Sequence, residues 1–196
     1  MSREQILNKI RCNKPAASSK TPLPKLTAHA DRHTDYVALF KEMTAVAGGR
    51  VVEIASLAEA KEKLRECVPH ATAAYCQISE LEIATVNVED MHSPHELASI
   101  DLMVGQGGVA VAENGAVWVA DDDVTFRASW FIARHLVLLV DKQDIVPTMW
   151  HAYRKINIQR PGFGCFISGP SKTADIEQSL VIGAHGAKSL TIFLRC

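Results

Sequence analysis

Two glycine-flanked segments near the C-terminus carry side chains that could bind a small anion or exchange a proton. The first, residues 166–177, reads FISGPSKTADIE. An apolar stretch, a turn and then Ser, Thr or Asp are typical of a strand that leads into the N-terminus of a helix. Free backbone N–H groups at such a terminus attract phosphate or carboxylate. We therefore predict ligand contacts from Gly169, Ser171, Lys172, Thr173, Asp175 and Glu177.

A purely structural role is the alternative for this segment. Ser171 or Thr173 could cap the helix, and Asp175 and Glu177 would then favour its dipole but repel an anion. The glycine spacing of a Walker phosphate loop is missing. Ligand binding and helix capping both remain open.

The second segment, residues 183–186, places a histidine between glycines. His185 in such a loop could act as a general acid or base near neutral pH, with Gly186 beside it. A lone histidine in a loop is more often incidental. His92, His95 and Glu96 could hold a metal ion, but Pro94 interrupts that segment, and we predict no metal site.

A third candidate lies upstream, where residues 105–115 read GQGGVAVAENG. Asn-Gly between apolar runs predicts a tight hairpin turn, which is the structural interpretation. The functional one is that Glu113 and Asn114 point a carboxylate and an amide at a ligand, and that glycines allow it close to the backbone. The candidates here are Gly107, Glu113, Asn114 and Gly115, with Glu113 and His185 as possible catalytic groups.

Alternating strands and helices position these segments. Apolar spacing predicts helices over residues 2–11, 31–47 and 57–67, a helical turn at 94–97 and a helix that begins near Asp144 and Pro147. Predicted strands cover 51–54, 71–78, 82–88, 99–104, 116–120, 135–140, 164–168 and 190–194. This order is typical of a three-layer α/β/α fold with a mostly parallel sheet. Because ligands bind beyond the carboxyl ends of such strands, we expect Glu113, Asn114, Ser171, Thr173, Asp175 and His185 to meet in one pocket there.

Composition limits the class of protein. The 21 basic and 22 acidic residues nearly cancel, which does not favour nucleic acid or anionic membrane as a partner. No apolar run approaches the roughly 20 residues of a membrane span, so we expect a cytoplasmic protein.

The prolines and serines of residues 12–25 predict an arm, which makes 1–28 a helix plus arm and 29–196 the α/β domain. The five cysteines lack the close spacing of an iron–sulfur site, so we expect no cofactor in this chain.

The segments GPSKTADIE at 169–177 and GAHG at 183–186, with AENGA at 112–116 upstream, resemble the signature of the LUD-domain family. The similarity extends from about residue 30 to the C-terminus and is closest to the short, lactate-utilisation protein C type. It implies the fold of the CoA-transferase, ribose-phosphate isomerase and 5-formyltetrahydrofolate cyclo-ligase group. Lys172 departs from the family's usual arginine.

The resemblance also implies a function. It suggests an accessory subunit that works beside two iron–sulfur proteins in the oxidation of L-lactate to pyruvate, with the clusters in those partners. The alternative is a stand-alone enzyme or ligand-binding protein for a sugar phosphate, a CoA ester or a folate. Turnover by the purified chain would separate the two, because an accessory subunit needs its partners.

Overall fold

The chain forms two compact units, Met1–Asp31 and Arg32–Cys196. The computed structural model describes residues 2–14, 35–120, 124–157, 162–174, 180–183 and 186–196. The boundary predicted between residues 28 and 29 lies outside these ranges. None of the described helices is long and apolar enough to cross a membrane.

The described part of the first unit forms a helix, α1 (Arg3–Cys12), as the sequence predicts. Ser2 caps its N-terminus by accepting a hydrogen bond from the backbone N–H of Gln5. The Gln5 side chain accepts one in return from the backbone N–H of Ser2. These reciprocal bonds satisfy donors that the helix itself cannot use.

The second unit alternates strands and helices along the chain. In order, its elements are α2 (Tyr36–Val46), β1 (Arg50–Ile54), α3 (Leu57–Cys67), β2 (Ala74–Cys76), β3 (Leu102–Gln106), β4 (Ala110–Val111), β5 (Ala116–Ala120), α4 (Ser129–Ile132), β6 (His135–Asp141), β7 (Ile145–Val146), α5 (Met149–Lys155), β8 (Gly164–Ile167), β9 (Lys172–Ala174), β10 (Leu180–Ile182) and β11 (Ser189–Arg195). Short 3-10 turns cover Ser79–Leu81, Val88–Asp90, Pro94–Ser99 and Lys142–Asp144.

Five strands form a central sheet in the order β1-β11-β6-β3-β2, and every pairing in it is parallel. This confirms the predicted α/β class with its parallel sheet. A second sheet, ordered β7-β4-β5-β8, was not predicted. It arises because β4 and β7 directly follow the central strands β3 and β6, and β5 and β8 then pair antiparallel beside them.

The central strands are buried on both faces, which explains their continuous apolar sequences. Side chains alternate along β6, so Leu136 and Leu138 face one apolar cluster while Val137 and Leu139 face another. The first cluster also contains Phe40 of α2, Trp130 of α4 and residues of β4 and β5. The second contains Ala60 and Leu64 of α3. Helices therefore cover both faces of the sheet, as a three-layer fold requires.

Local capping sets the limits of the two long helices. Asp35 accepts hydrogen bonds from the N–H groups of Val37 and Ala38 and so begins α2. The predicted start at residue 31 lies outside the described residues. Ser56 accepts from the N–H of Glu59 at the start of α3, while the Glu59 carboxylate accepts from Ala55.

Two predicted elements are wrong. Residues 82–87 form no strand, because Thr85 and Val86 instead donate their N–H groups to the carbonyl of Ala74 as an irregular segment beside β2. The helix expected after Ser171 is absent from the described residues, where β9 pairs antiparallel with β10. The pairing of these two neighbouring segments in an antiparallel hairpin has overridden the capping signal there.

Candidate functional site

The acidic glycine loop of residues 112–115 is the tip of the β4–β5 hairpin, as the Asn-Gly signal predicts. Its carboxylate does not stand free. Glu113 Oε1 accepts a hydrogen bond from the backbone N–H of Met149 at 2.5 Å, and the backbone N–H of Glu113 donates to the carbonyl of Pro147 at 3.1 Å. Glu113 thus caps the N-terminus of α5, where Thr148 makes no side-chain capping bond.

Asn114 holds the hairpin turn. Its side-chain Oδ1 accepts from the N–H of Ala116 at 3.1 Å, which is the local bond that Asn makes in turns. Its carbonyl accepts from the hydroxyl of Ser168 at 2.8 Å. The glycine loop and the segment after β8 are therefore in direct contact.

Two of the predicted glycines are required by close backbone approach to α2. Gly115 has a φ of +64°, and a Cβ there would lie 2.6 Å from the backbone nitrogen of Thr44. Gly169 has a φ of +73°, and its Cβ would lie 2.1 Å from the carbonyl oxygen of Ala47. Both glycines serve helix packing in the described structure.

Lys172 and Gly107 also have structural contacts. The Lys172 ammonium donates to the carbonyl of Ala47 at the end of α2, where a positive charge complements the helix dipole. Gly107 lies between the sheets, and a Cβ there would come within 2.6 Å of Val117 and 2.8 Å of Val140.

Ser171 contacts the segment before β11. Its N–H donates to the carbonyl of Ala187 at 2.8 Å, and its own carbonyl accepts from Gly183 at 2.9 Å. A Cβ on Gly186 would lie 3.0 Å from the Ser171 hydroxyl oxygen. The described parts of all three predicted loops are therefore linked by contacts.

Thr173 lies in β9 opposite Val181, while Asp175, Glu177 and His185 lie outside the described residues.

These loops lie at the amino edge of the central sheet, which corrects the expected carboxyl edge. Ala187 immediately precedes β11, and Ala47 and Gly48 immediately precede β1. Because Ser171 and Gly169 contact those residues, they stand where the parallel strands begin. The rule that ligands bind at carboxyl ends therefore does not apply to this cluster.

Two titratable side chains at the amino edge, Asp101 and His135, have hydrogen-bonding partners there. Asp101 Oδ2 accepts from the N–H groups of Thr72 and Ala73, and these bonds hold the pKa of the Asp101 carboxyl below its usual value. His135 Nδ1 lies 2.8 Å from the Ser189 hydroxyl. Burial of the imidazole lowers the pKa of His135, although the Asp101 charge partly opposes that effect.

Glu96 and His95, in the segment where we predict no metal site, make local hydrogen bonds. Glu96 accepts from the N–H groups of His92 and Ser93, and His95 Nδ1 lies 3.0 Å from the Ser93 hydroxyl. Within the described ranges, no cluster of three His, Cys, Asp or Glu side chains could hold a metal ion.

The carboxyl edge carries a polar set that sequence reasoning missed. Arg195 at the end of β11 forms a two-bond ion pair with Asp141 at the end of β6. Gln77 Oε1, after β2, accepts from the N–H of Gln106 at the end of β3. A cavity of about 300 Å³ opens beside Gln77, Gln106 and Arg195. The sequence did contain a signal for this set, because these polar residues stand at the ends of apolar runs.

Comparison with known proteins gives three results. The family model described as LUD domain matches residues 72–194. Curated relatives named "Lactate utilization protein C" include one from Oceanobacillus iheyensis, 31% identical over 97 residues, which covers 46% of this chain and 42% of the relative. A relative from Shouchella clausii is 33% identical, and the match covers 51% of this chain and 46% of the relative. A relative from Geobacillus kaustophilus is 37% identical, and the match covers 40% of this chain and 35% of the relative.

The matched region spans less than half the length of these relatives. Among solved structures, a DUF162 family protein from Deinococcus radiodurans is similar, with a TM-score of 0.67 at 16% identity. The similarity covers 82% of this chain and 96% of that one. It establishes a shared fold.

Proposed function

This chain belongs to the LUD-domain family, and from that premise we propose that it is an accessory component of lactate utilisation. The observation that carries the proposal is its 31–37% identity to proteins named "Lactate utilization protein C". In the proposed system, two iron–sulfur proteins oxidise L-lactate to pyruvate in the cytoplasm. This chain supports them by binding a small ligand or the partner proteins.

The geometry of the acidic loop supports an accessory role over independent catalysis. A general base must lie within hydrogen-bond reach of the proton that it removes. The Glu113 carboxylate instead accepts a hydrogen bond from the backbone N–H of Met149. The Asn114 side chain accepts one from the N–H of Ala116 within its own turn. Each side chain of the loop therefore uses one oxygen, Oε1 of Glu113 or Oδ1 of Asn114, for a structural hydrogen bond.

The cysteines favour electron transfer through partners. The five residues are Cys12, Cys67, Cys76, Cys165 and Cys196, and no two of them have CxxC spacing. Iron–sulfur clusters are held by thiolates in closely spaced motifs. We therefore assign the clusters of the proposed system to its other two proteins.

The test is a reconstituted assay of L-lactate-dependent dye reduction. The two iron–sulfur proteins are assayed together, with and without this chain, and this chain is also assayed alone. The proposal expects activity that requires the chain, and no dye reduction by the chain alone. Equal activity of the partners without it would remove the lactate role.

A stand-alone enzyme or ligand-binding protein is the second candidate, and the carboxyl-edge cavity is the observation that favours it. Arg195, Gln77 and Gln106 offer polar groups to a small molecule there. Substrates of this candidate are a sugar phosphate, a CoA ester or a folate. Turnover of any of them by the purified chain would favour it over the accessory role.

A further inference from the structure

The carboxyl edge of the central sheet contains a cavity whose polar groups come from three different strand ends. Its volume is about 300 Å³. Gln77 follows β2, Gln106 ends β3 and Arg195 ends β11. Leu57, Ile78 and Leu139 supply apolar wall. Carboxyl ends of parallel strands are the usual place for ligands in α/β sheets.

Asp141 orients the guanidinium group of Arg195. Its two carboxylate oxygens accept from Nε and Nη2 of Arg195, the second at 2.8 Å. This fork-to-fork pairing fixes the plane of the guanidinium and uses one of its edges. The described bonds do not use Nη1, and Arg195 is one of the residues that line the cavity. The ion pair raises the pKa of Arg195, so this donor stays charged.

The two glutamine amides are left with complementary groups. Gln106 Nε2 donates to the carbonyls of Gly107 and Leu139 at 3.0 and 3.1 Å, so its Oε1 remains as an acceptor. Gln77 uses Oε1 to accept from the Gln106 N–H, so its NH2 group remains as a donor. The residues that line the cavity thus retain a charged donor, a neutral donor and one acceptor that the described bonds do not use.

We propose that this cavity binds a small 2-hydroxymonocarboxylate. The carboxylate is recognised by Arg195 and the Gln77 NH2 group, the hydroxyl donates to Gln106 Oε1, and the short apolar tail lies against Leu57 and Leu139. Glu80 also lines the cavity but is exposed, so solvent screens its charge. The choice of hydroxy acid rests on the proposed lactate function.

The experiment is an NMR titration of the full chain with L-lactate. The expected result is saturable movement of the side-chain NH2 resonances of Gln77 and Gln106. Lactamide, which lacks the charge, should bind at least about tenfold more weakly, since bonds to charged groups are the stronger ones. Pyruvate, which has no hydroxyl donor for Gln106, should bind about fivefold more weakly.

Two variants test the role of the guanidinium. Arg195→Gln should weaken L-lactate binding at least about tenfold, and Asp141→Asn combined with Arg195→Gln avoids an unpaired carboxylate. Lys188→Gln removes one positive charge at the opposite edge of the sheet and should leave binding unchanged. Circular dichroism and urea unfolding establish that each variant is folded.

Two outcomes would overturn the inference: no saturable movement of the Gln77 and Gln106 resonances, or equal affinity for L-lactate and lactamide. Different experimental results would rule out the lactate site and the accessory function. Lactate binding by a chain that the dye assay does not require removes the accessory role and keeps the site. A chain that the assay requires, but that does not bind lactate at this edge, keeps the role and removes the site.

Discussion

The carboxylate of Glu113, at the tip of the β4–β5 hairpin, lies 2.5 Å from the backbone nitrogen of Met149 and caps α5. The two residues are distant in sequence, so the hairpin tip supplies a capping group that the helix lacks locally. A residue that looks catalytic in the sequence therefore stabilises a helix.

Glu113→Ala should lower the free energy of unfolding by about 1 kcal/mol, because an N-terminal N–H of α5 loses its acceptor. Glu113→Gln keeps an amide oxygen and should lose less. Urea unfolding measures both. A Gln variant that abolishes function while retaining full stability would instead give Glu113 a chemical role.

Gly115→Ala should destabilise the chain by roughly 2–4 kcal/mol, since its φ of +64° disfavours a side chain and the new methyl group would meet Thr44. Gly108→Ala is the matched control. Its Cβ would lie no closer than 3.3 Å to another atom, here Cδ1 of Trp118. Equal losses of stability in the two variants would show that the contact with α2 is unimportant.

Lys172→Gln should lower stability by roughly 0.5 kcal/mol through loss of a cation at the end of α2. The difference between wild type and variant should shrink as salt is added, because exposed charges are screened. Unfolding curves at low and high ionic strength measure it. A ligand role for Lys172 would instead leave stability unchanged and reduce binding.

His135 should titrate below its ordinary value of 6.5, because burial disfavours its charged form. The folded state then binds fewer protons than the unfolded state just below pH 6.5, so stability should fall as the pH falls through that window. NMR titration of the imidazole measures the pKa. His135→Gln should flatten the pH dependence of stability, and a pKa at or above 6.5 would contradict the expectation.

The sequence by itself determined the elements whose signals are local. The apolar run of β6, the Ser56 cap of α3 and the Asn114-Gly115 turn each depend on neighbouring residues, and each is present. Alternation of strands and helices was sufficient for the parallel α/β class. These features follow from backbone propensity and burial, which act over a few residues.

Only the tertiary structure decided what the candidate residues do. Lys172–Ala174 follows a Ser with capping chemistry, yet it forms a strand because Leu180–Ile182 pairs with it. The insertion of β11 between β1 and β6 brings the predicted loops to the amino edge. The same topology places Arg195 beside Asp141 at the carboxyl edge. The pairings of β11 with β1 and β6 join strands that are distant in sequence, and a linear pattern carries no record of strand order.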